Sequence, residues 1–413
     1  MGFGDVRVLG LIMAGGEGRR LLPLTLERSK PAVPFGGNYR IVDFVLSNFL
    51  NSGIYSVYVL VQYRSQSLID HLREGWRLST PSSDDFLTVV PPQMRIGREW
   101  YRGTADAVYQ NFNLVYDFRP DLIAVFGADH IYRMHVGQMI QFHRERKAEL
   151  TVAMLPVPRC EAGGFGVAQT EEDGRIVAWK EKVPDPPEMP GRPGYCFASM
   201  GNYLFEPSAL VEILREVNER GLDPDFGKTI VPLMLEAERY RLFAYDFLCN
   251  EIPAVRAYEE QGYWRDVGTL ASYWSAHMDL LGREPRFDLN NPRWPIHSVP
   301  VERLSARILT GTLRDSTIGV GSTLAGGRVV RSVIGRSVLI EEGAEIVDSI
   351  VMDHCRVSRG ARLHRAIIDR YNLIQEGEVI APDAPTERHD TRVEADLIAI
   401  PRGRTRPVSS VQR

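Results

Sequence analysis

A 17-residue repeat near the C-terminus constrains the fold of this 413-residue chain more than any other feature. Glycine recurs at that interval, and the aliphatic residues between successive glycines follow one another in steps of 6, 6 and 5. An α-helix repeats every ~3.6 residues and a lone strand every ~2, so neither gives this cycle. The pattern predicts a hexapeptide parallel β-helix over residues 306–385, with three short strands to a coil and a glycine at one corner. It is carried by Gly326, Gly343, Gly360 and Gly377, and by Ile334, Ile340, Ile346, Val351, Val357, Leu363, Ile368, Ile374 and Ile380.

Upstream of the repeat, short apolar segments alternate with helical patterns. The predicted strands are Val6–Leu11, Ser56–Val61, Leu122–Phe126 and Leu150–Leu155, and the predicted helices are Asp43–Asn51, Ala105–Tyr116 and Val136–Lys147. Continuous apolar strands between helices are typical of an α/β domain, in which helices cover both faces of a mostly parallel sheet. Ligands bind such sheets at the carboxyl ends of the strands, so we expect functional residues after Met13 and Phe126.

A proline-containing segment separates the two patterns. Residues 286–300 hold three prolines and no clear periodicity, which indicates a linker. We therefore divide the chain into an α/β domain over residues 1–285, a linker over 286–305, the β-helix over 306–385 and a C-terminal tail over 386–413. The tail is expected to be a helix or a frayed end.

Charge and cysteine content exclude several classes of protein. Lys and Arg number 49 against 53 Asp and Glu, whereas a nucleic-acid-binding protein normally has a basic domain or stripe. No apolar run approaches the ~20 residues of a membrane span, and the N-terminus lacks a signal-peptide core. The four scattered cysteines indicate buried apolar residues in a reducing compartment rather than disulfides or a zinc site. We expect a cytoplasmic protein that binds neither nucleic acid nor membrane.

The first predicted strand runs into a glycine-rich turn that could bind phosphate. Gly15, Gly16 and Gly18 let backbone N–H groups approach phosphate oxygens, and Arg20 and Lys30 follow closely as cations for a polyphosphate. The spacing fits neither a Rossmann dinucleotide motif nor a Walker A loop. A tight turn without a ligand remains the plainer interpretation of the glycines alone.

Two carboxylates and one Glu-Lys pair are the other candidates. Asp129 ends an apolar strand, which is the expected place for a Mg²⁺ ligand, although an aspartate there also commonly caps a helix. Asp266, in the stretch Y-W-R-D-V-G-T, offers a second carboxylate, and two carboxylates with substrate phosphates are typical of magnesium sites. Lys182 could bind another phosphate while Glu181 accepts sugar hydroxyls, but such a pair is more often a solvated face.

Taken together, these motifs make the sequence resemble the bacterial glucose-1-phosphate adenylyltransferases across essentially the whole chain. The matching stretches, in family order, are AGGEGRRL, SKPAVPFGG, WYRGTADAV, GADHIY, FGV, EK, SMGNYLF, DFGK and YWRDVGT. The resemblance implies a Rossmann-like nucleotidyltransferase domain with a mostly parallel sheet, followed by a left-handed parallel β-helix. It also implies a homotetramer that transfers adenylyl from ATP to α-D-glucose 1-phosphate, giving ADP-glucose and pyrophosphate for glycogen synthesis under the control of small-molecule allosteric effectors.

The resemblance assigns roles to residues of this sequence. Arg20, Lys30 and Asp129 are expected to be catalytic, with Mg²⁺ held by Asp129 and Asp266. The residues expected at ATP are Gly15, Gly16, Arg20, Lys30, Gln93, Gly103 and Thr104. Those expected at glucose 1-phosphate are Tyr101, Gly166, Glu181, Lys182, Ser199, Tyr203 and Asp225, and Arg28 and Arg40 are assigned to an effector site.

Two positions depart from the family pattern and leave the effectors open. Glu27 stands where many bacterial members carry a lysine implicated in activator binding, and Pro34 stands where some carry a histidine near the effector site. Activation by fructose 1,6-bisphosphate or inhibition by AMP is therefore not assumed. The runner-up function is another sugar-1-phosphate nucleotidyltransferase that uses dTTP, UTP or GTP. A non-catalytic regulatory subunit ranks lower, because the charged residues of the expected site are all present.

Overall fold

The computed structural model describes residues 6–76, 85–93, 100–299, 305–386 and 388–403. The N-terminal strands are β1 Val8–Ala14, β2 Pro34–Phe35, β3 Tyr39–Arg40, β4 Ser56–Val61, β5 Phe86–Val90, β6 Leu122–Gly127, β7 His130–Tyr132, β8 Leu150–Pro158, β9 Gly166–Thr170, β10 Ile176–Glu181, β11 Tyr195–Phe205, β12 Leu242–Asp246 and β13 Trp264–Asp266. The helices are α1 Ile41–Asn51, α2 Gln66–Gly75, α3 Thr104–Tyr109, α4 Phe112–Phe118, α5 Val136–Arg146, α6 Pro207–Glu219, α7 Val231–Glu236 and α8 Leu270–Met278.

The large sheet follows the order β10-β9-β11-β6-β1-β4-β5, and β8 pairs with both β11 and β12. Strands β5, β4, β1 and β6 run parallel to one another, whereas β11 runs antiparallel to β6, β8 and β9. The predicted α/β domain with a mostly parallel sheet is therefore confirmed.

Strand β1 is buried on both faces, because its side chains alternate between two apolar clusters. Leu9 and Leu11 pack with residues of α3, α4 and α6, while Val8 and Ile12 pack with residues of α1, α2 and α5. Gly10 lies so close to α1 that a Cβ there would be 2.7 Å from the Phe49 ring. This two-sided packing explains why the strand is continuously apolar in the sequence.

The carboxyl ends of β1 and β6 meet at one edge of the sheet. The two strands are adjacent and in register, with Ile12 opposite Phe126 and Met13 opposite Gly127. The loops after Met13 and Phe126 therefore lie side by side, as the alternation of strands and helices predicted. A small second sheet beside this edge pairs β13 with β7 and sets Asp266 opposite His130.

The C-terminal region is a stack of short parallel strands, which confirms the hexapeptide β-helix. The aliphatic residues of the repeat are buried inside it, and its corner glycines Gly343, Gly360 and Gly377 have φ of 69°, 65° and 69°. Its strands are β14 Arg307–Arg314, β15 Thr317–Ile318, β16 Thr323–Val330, β17 Val333–Ile334, β18 Leu339–Ile340, β19 Glu345–Val347, β20 Ile350–Val351, β21 Arg356–Val357, β22 Arg362–His364, β23 Ala366–Ile368, β24 Leu373–Ile374, β25 Val379–Ile380, β26 Arg392–Glu394 and β27 Leu397–Ile400.

The expectation that residues 386–413 form a helix or a frayed tail is wrong where they are described. Strand β27 pairs in parallel with β23, and β26 folds back on β27. Residues 397–400 are a continuous apolar run, and they are buried against the β-helix as a further strand. Residues 404–413 lie outside the described part of the chain.

Two further expectations need correction. The helix predicted over residues 105–116 is divided into α3 and α4, because the Asn111 side chain donates a 2.8 Å hydrogen bond to the Ala107 carbonyl oxygen and interrupts the helix.

The four cysteines are free, as expected, but only Cys196 and Cys355 are buried, whereas Cys160 and Cys249 are exposed.

The linker and the two domains pack together. Trp294 and Phe287 of the linker are buried, although residues 286–299 contain no helix or strand. An apolar cluster extends across the domain boundary and joins Tyr273 and Phe35 to Ile350 and Ile367 of the β-helix. No helix among the described residues is long and apolar enough to cross a membrane.

Candidate active site

A cleft of about 350 Å³ opens at the carboxyl edge of the large sheet, beside β1 and β6. Many of the residues that sequence reasoning selected line it together, although they come from widely separated parts of the chain. These residues are Arg20, Thr104, Asp129, Gly166, Glu181, Lys182, Ser199, Tyr203, Asp225 and Asp266. The cleft is therefore the candidate active site.

Two carboxylates and one lysine form the centre of the site. Asp129 follows β6, Asp266 ends β13, and the Lys30 side chain enters between them from a short 3-10 helix at Lys30–Ala32. The Lys30 ammonium donates to Asp129 Oδ2 at 3.0 Å and to Asp266 Oδ1 at 2.9 Å. The Lys30 side chain is 8% exposed, whereas the carboxylates of Asp129 and Asp266 are 40% and 29% exposed. The carboxylates thus face the cleft and the lysine lies behind them.

The electrostatic surroundings favour the charged forms of Lys30 and Asp129. Burial lowers the pKa of the Lys30 ammonium, but the adjacent Asp129 and Asp266 outweigh burial and raise the pKa above its usual value. Burial raises the pKa of the Asp129 carboxyl, but His130 and Lys30 outweigh it and hold the pKa below its usual range. Both carboxylates can supply oxygen ligands, and Asp129, His130 and Asp266 have candidate ligand atoms within 4.8 Å of one another. Hard oxygen donors of this kind suit Mg²⁺.

The glycine-rich turn lies next to this centre. Gly18 has φ of 67°, and a Cβ there would be 3.1 Å from the Lys30 Cβ, so the turn and the lysine stem are in close contact. Gly16 faces open space. Arg20 reaches over the cleft, because a Cβ at Gly268 would be 3.0 Å from both Arg20 Nη2 and Asp266 Oδ1.

Glu181 and Lys182 form a second charged pair that lines the cleft. Glu181 is held between two glycines, since a Cβ at either Gly166 or Gly227 would be 2.5 Å from Glu181 Oε2. Lys182 has a left-handed backbone with φ of 50°, and its N–H donates to the Phe165 carbonyl oxygen at 3.0 Å. Its side chain is 60% exposed and its ammonium lies 3.4 Å from Glu181 Oε1. The pair therefore offers one acceptor and one mobile cation to the cleft.

Hydroxyl and carboxylate groups line the cleft near Glu181. A register shift in β11 between Ser199 and Tyr203 directs both residues toward the cleft. The Tyr203 ring stacks on Phe226 with centroids 5.2 Å apart, and burial raises the pKa of its hydroxyl. Asp225 Oδ1 accepts a 2.9 Å hydrogen bond from the Lys228 N–H and so caps the turn that contains Gly227.

Four further sequence-selected residues, Tyr101, Gly103, Gln93 and Gly15, do not line the cleft. Tyr101 is buried, and its hydroxyl accepts a 2.9 Å hydrogen bond from Asn111. Gly103 packs against the loop before Asp225, where a Cβ would be 2.5 Å from the Pro224 carbonyl oxygen. Gln93 is exposed and donates to the Pro91 carbonyl oxygen at 2.9 Å. Gly15 packs on Gln62, where a Cβ would be 3.3 Å from the Gln62 Cβ.

Sequence reasoning missed several residues that line the cleft. His130 Nε2 lies 3.5 Å from Asp129 Oδ1, and its ring is 4.7 Å from that of Trp264. Most of the missed residues lie within two positions of a selected one in the motifs GADHIY, FGV, SMGNYLF, DFGK and YWRDVGT, so proximity in the sequence was the available signal. Those we did not select include His130, Phe165, Met200, Gly201, Phe226, Gly227 and Trp264.

Arg28 and Arg40 lie away from the cleft, at the boundary with the β-helix. Arg28 is buried and forms an ion pair with Asp369 at 2.6 Å. Arg40 donates to the Ser67 carbonyl oxygen at 2.6 Å, and burial together with Arg370 and Arg28 lowers the pKa of its guanidinium to about 10. Within the described residues, the Nε atoms of Arg28, Arg40 and Arg370 are buried without hydrogen-bond partners.

The two positions that depart from the family pattern have intramolecular partners. Glu27 accepts a 2.8 Å hydrogen bond from Arg402 near the end of the described chain. The Pro34 carbonyl oxygen accepts a hydrogen bond from the Tyr273 hydroxyl.

Comparisons with known proteins identify the family of each part of the chain. Residues 9–283 match the family described as nucleotidyl transferase, and residues 304–400 match a GlmU-like C-terminal hexapeptide family. The chain is 48% identical over 394 residues to a glucose-1-phosphate adenylyltransferase of Thermodesulfovibrio yellowstonii, covering 95% of each chain. Proteins of the same name from an Anaeromyxobacter species and from Deinococcus radiodurans are 45% and 42% identical, each over 96% of this chain and 98% of the relative.

Proposed function

This chain belongs to the glucose-1-phosphate adenylyltransferases, and we propose that its cleft transfers the adenylyl group of ATP to α-D-glucose 1-phosphate, giving ADP-glucose and pyrophosphate. The observation that carries the proposal is the arrangement of charge in the cleft. Arg20 lines the cleft together with the acidic pair Asp129 and Asp266, and Glu181 with Lys182 lines it as a second charged pair. Such a cleft has cations for two separate anionic substrates.

The reaction brings two polyanions together, so charge compensation is the main requirement. The phosphate oxygen of glucose 1-phosphate attacks the α-phosphorus of ATP, the bond to the β-phosphate breaks, and pyrophosphate leaves. We assign Arg20, Lys30, Gly15, Gly16, Gly103, Thr104 and Gln93 to ATP. Cations at such a cluster offset the repulsion between the phosphates and allow in-line approach, and no covalent intermediate with the protein is needed.

We assign the part of the cleft around Glu181 and Lys182 to glucose 1-phosphate. Lys182 is exposed enough to reach a phosphate, and its flexible stem suits a point charge that must follow the substrate. Glu181 is fixed between Gly166 and Gly227 and would accept sugar hydroxyls. Tyr101, Ser199, Tyr203 and Asp225 complete the assignment.

Mg²⁺ is the proposed cofactor. Asp129 and Asp266 would hold it, because both are acceptor-only carboxylates directed into the cleft and the Lys30 ammonium already marks a cation position between them. When bound, the ion would neutralise phosphate charge and so assist the transfer. The protein groups orient the substrates around it.

The first experiment compares pyrophosphate release from glucose 1-phosphate and Mg²⁺ with ATP, UTP, dTTP and GTP. Strong preference for ATP supports adenylyl transfer. Preference for another nucleotide would replace it with the runner-up function. Absence of release with every nucleotide, from folded protein, would instead favour the regulatory subunit.

We also propose that the enzyme is a cytoplasmic homotetramer that supplies ADP-glucose for glycogen synthesis and is regulated by an anionic effector. The effector site would include Arg28 and Arg40, joined by Arg370, because buried guanidinium nitrogens there lack partners among the described residues. Assays with fructose 1,6-bisphosphate, AMP and inorganic phosphate, on the parent enzyme and on Arg40→Gln, test this. Light scattering tests the oligomeric state.

A further inference from the structure

The Lys30 ammonium lies between the two carboxylates that are expected to hold the metal ion. It contacts Asp129 Oδ2 at 3.0 Å and Asp266 Oδ1 at 2.9 Å, so it makes an ion pair with each at once. The same lysine is expected to contact ATP phosphates. While a divalent cation is bound to the carboxylates, the Lys30 ammonium cannot stay in contact with the carboxylate oxygens and also contact the phosphate oxygens of ATP.

We infer that Lys30 is a built-in counter-ion that competes with the divalent cation for Asp129 and Asp266, and that it is transferred to the nucleotide phosphates when metal and nucleotide bind together. The inference rests on the proposed function only in taking a polyphosphate as the second partner of Lys30. The competition itself follows from the two ion pairs.

The net charge of the site supports competition between Lys30 and the divalent cation. The two carboxylates carry a charge of about −2, and Lys30 reduces it to about −1 before any ligand binds. A divalent cation bound to the same oxygens would lie close to the ammonium, and like charges a few ångströms apart repel strongly in a partly desolvated site. Arg20, next to Asp266, adds to this repulsion. The metal ion alone is therefore expected to bind weakly.

The geometry also gives Lys30 an alternative position. The backbone of the glycine-rich turn touches its stem, as the 3.1 Å distance from a Gly18 Cβ to the Lys30 Cβ indicates. A phosphate bound to that turn would be accessible to the ammonium through rotation of the flexible four-carbon side chain. A nucleotide would then remove the lysine from the carboxylates as it supplies oxygen ligands of its own, so metal and nucleotide would strengthen each other's binding. Such coupling is reciprocal by linkage.

The test measures Mn²⁺ binding to the full-length enzyme without nucleotide or sugar phosphate, from the electron paramagnetic resonance signal of free Mn²⁺. Lys30→Met should bind Mn²⁺ about tenfold more tightly than the parent enzyme, a typical size for such coupling. Lys30→Arg keeps the cation and should bind as weakly as the parent. Lys182→Met removes another cleft lysine that touches neither carboxylate and should also match the parent, and Asp129→Asn in the Lys30→Met background should remove the gain.

A second titration adds α,β-methylene-ATP, which cannot be turned over at the α-phosphorus. It should strengthen Mn²⁺ binding to the parent enzyme much more than to Lys30→Met. Equal or weaker Mn²⁺ binding by Lys30→Met without nucleotide would overturn the inference. If Lys30→Met does not fold, judged by circular dichroism, Lys30→Gln takes its place in the same comparison. The nucleotide assay of the proposed function is independent, so failure of one proposal is distinguishable from failure of the other.

Discussion

Arg28 and Asp369 lie 341 positions apart in the sequence, and they form a doubly hydrogen-bonded ion pair across the domain boundary. Arg28 Nη2 donates to the two carboxylate oxygens of Asp369 at 2.8 and 2.6 Å, and each side chain is only 1% exposed. Removal of one partner from a buried pair leaves an uncompensated charge, which costs more than the pair itself contributes.

Asp369→Ala is therefore expected to lower the free energy of unfolding by about 3–5 kcal/mol. Urea denaturation measures the change. The double variant Arg28→Met with Asp369→Leu should recover most of it, since neither partner of the pair is left behind as a buried charge without the other. Arg359→Ala breaks an exposed ion pair with Glu342 and should cost less than about 1 kcal/mol. If Asp369→Ala and Arg359→Ala lowered the free energy of unfolding equally, burial of the Arg28–Asp369 pair would not be the cause of the larger cost.

Asp129→Ala should abolish turnover while the fold is retained. The carboxylate faces the cleft and contributes little packing, but it is one of the two groups that would hold Mg²⁺. Pyrophosphate release and the thermal midpoint are measured on the same preparation. Normal turnover by this variant would remove Asp129 from the metal site.

Lys182→Gln should raise the KM for glucose 1-phosphate at least about tenfold and leave the KM for ATP nearly unchanged, because a charge-assisted contact to phosphate is lost. Lys180→Gln is the matched control, since Lys180 is exposed on β10, which ends just before Lys182, but does not line the cleft. Steady-state kinetics with each substrate varied in turn separates the two. An unchanged dependence on glucose 1-phosphate in Lys182→Gln would refute the phosphate contact.

Gly227→Ala should impair use of glucose 1-phosphate without a comparable loss of stability. The new methyl group would lie 2.5 Å from Glu181 Oε2 and would displace that carboxylate from its position between two glycines. We expect the KM for glucose 1-phosphate to rise and the KM for ATP to change little. Gly163→Ala, where the nearest atom to a Cβ is the Val183 carbonyl oxygen at 3.5 Å, is the control. Identical kinetics of the two variants would argue against positioning by Gly227.

The free energy of unfolding should fall as the pH is lowered from about 6.5 to about 4. Burial lowers the pKa of His143 from its usual 6.5 to about 4, so between these values the unfolded chain binds a proton that the folded chain does not. One such group contributes up to about 1.4 kcal/mol for each pH unit. In His143→Gln the slope measured by urea denaturation should be smaller than in the parent. The same slope in both proteins would exclude His143 as a contributor.

The repeat and the sheet edge were predictable because each depends on local periodicity. The corner glycine Gly343 and the buried Ile346 follow directly from the 17-residue cycle. The carboxyl ends of β1 and β6 were expected at one edge because parallel strands end on the same side of a sheet, where ligands bind. The buried strand β27 was missed because four apolar residues before an arginine-rich stretch give no periodic signal.

The arrangement within the site was less accessible to sequence reasoning. Asp129 and Asp266 were both selected, but the pairing of β13 with β7 that brings them together involves strands too short to recognise. The ion pairs of Lys30 with both carboxylates were not anticipated, because motifs specify residue types and not which of several oppositely charged partners lie within contact distance. Burial of Arg28 against Asp369 was missed for the same reason.

Only Ser29 separates Arg28, which is anchored in the β-helix, from Lys30, which is anchored between the carboxylates. This three-residue segment therefore carries one side chain paired with the β-helix and another paired with the two carboxylates of the cleft. The position of the coil that carries Asp369 and the position of the Lys30 ammonium thus depend on the same short stretch of backbone.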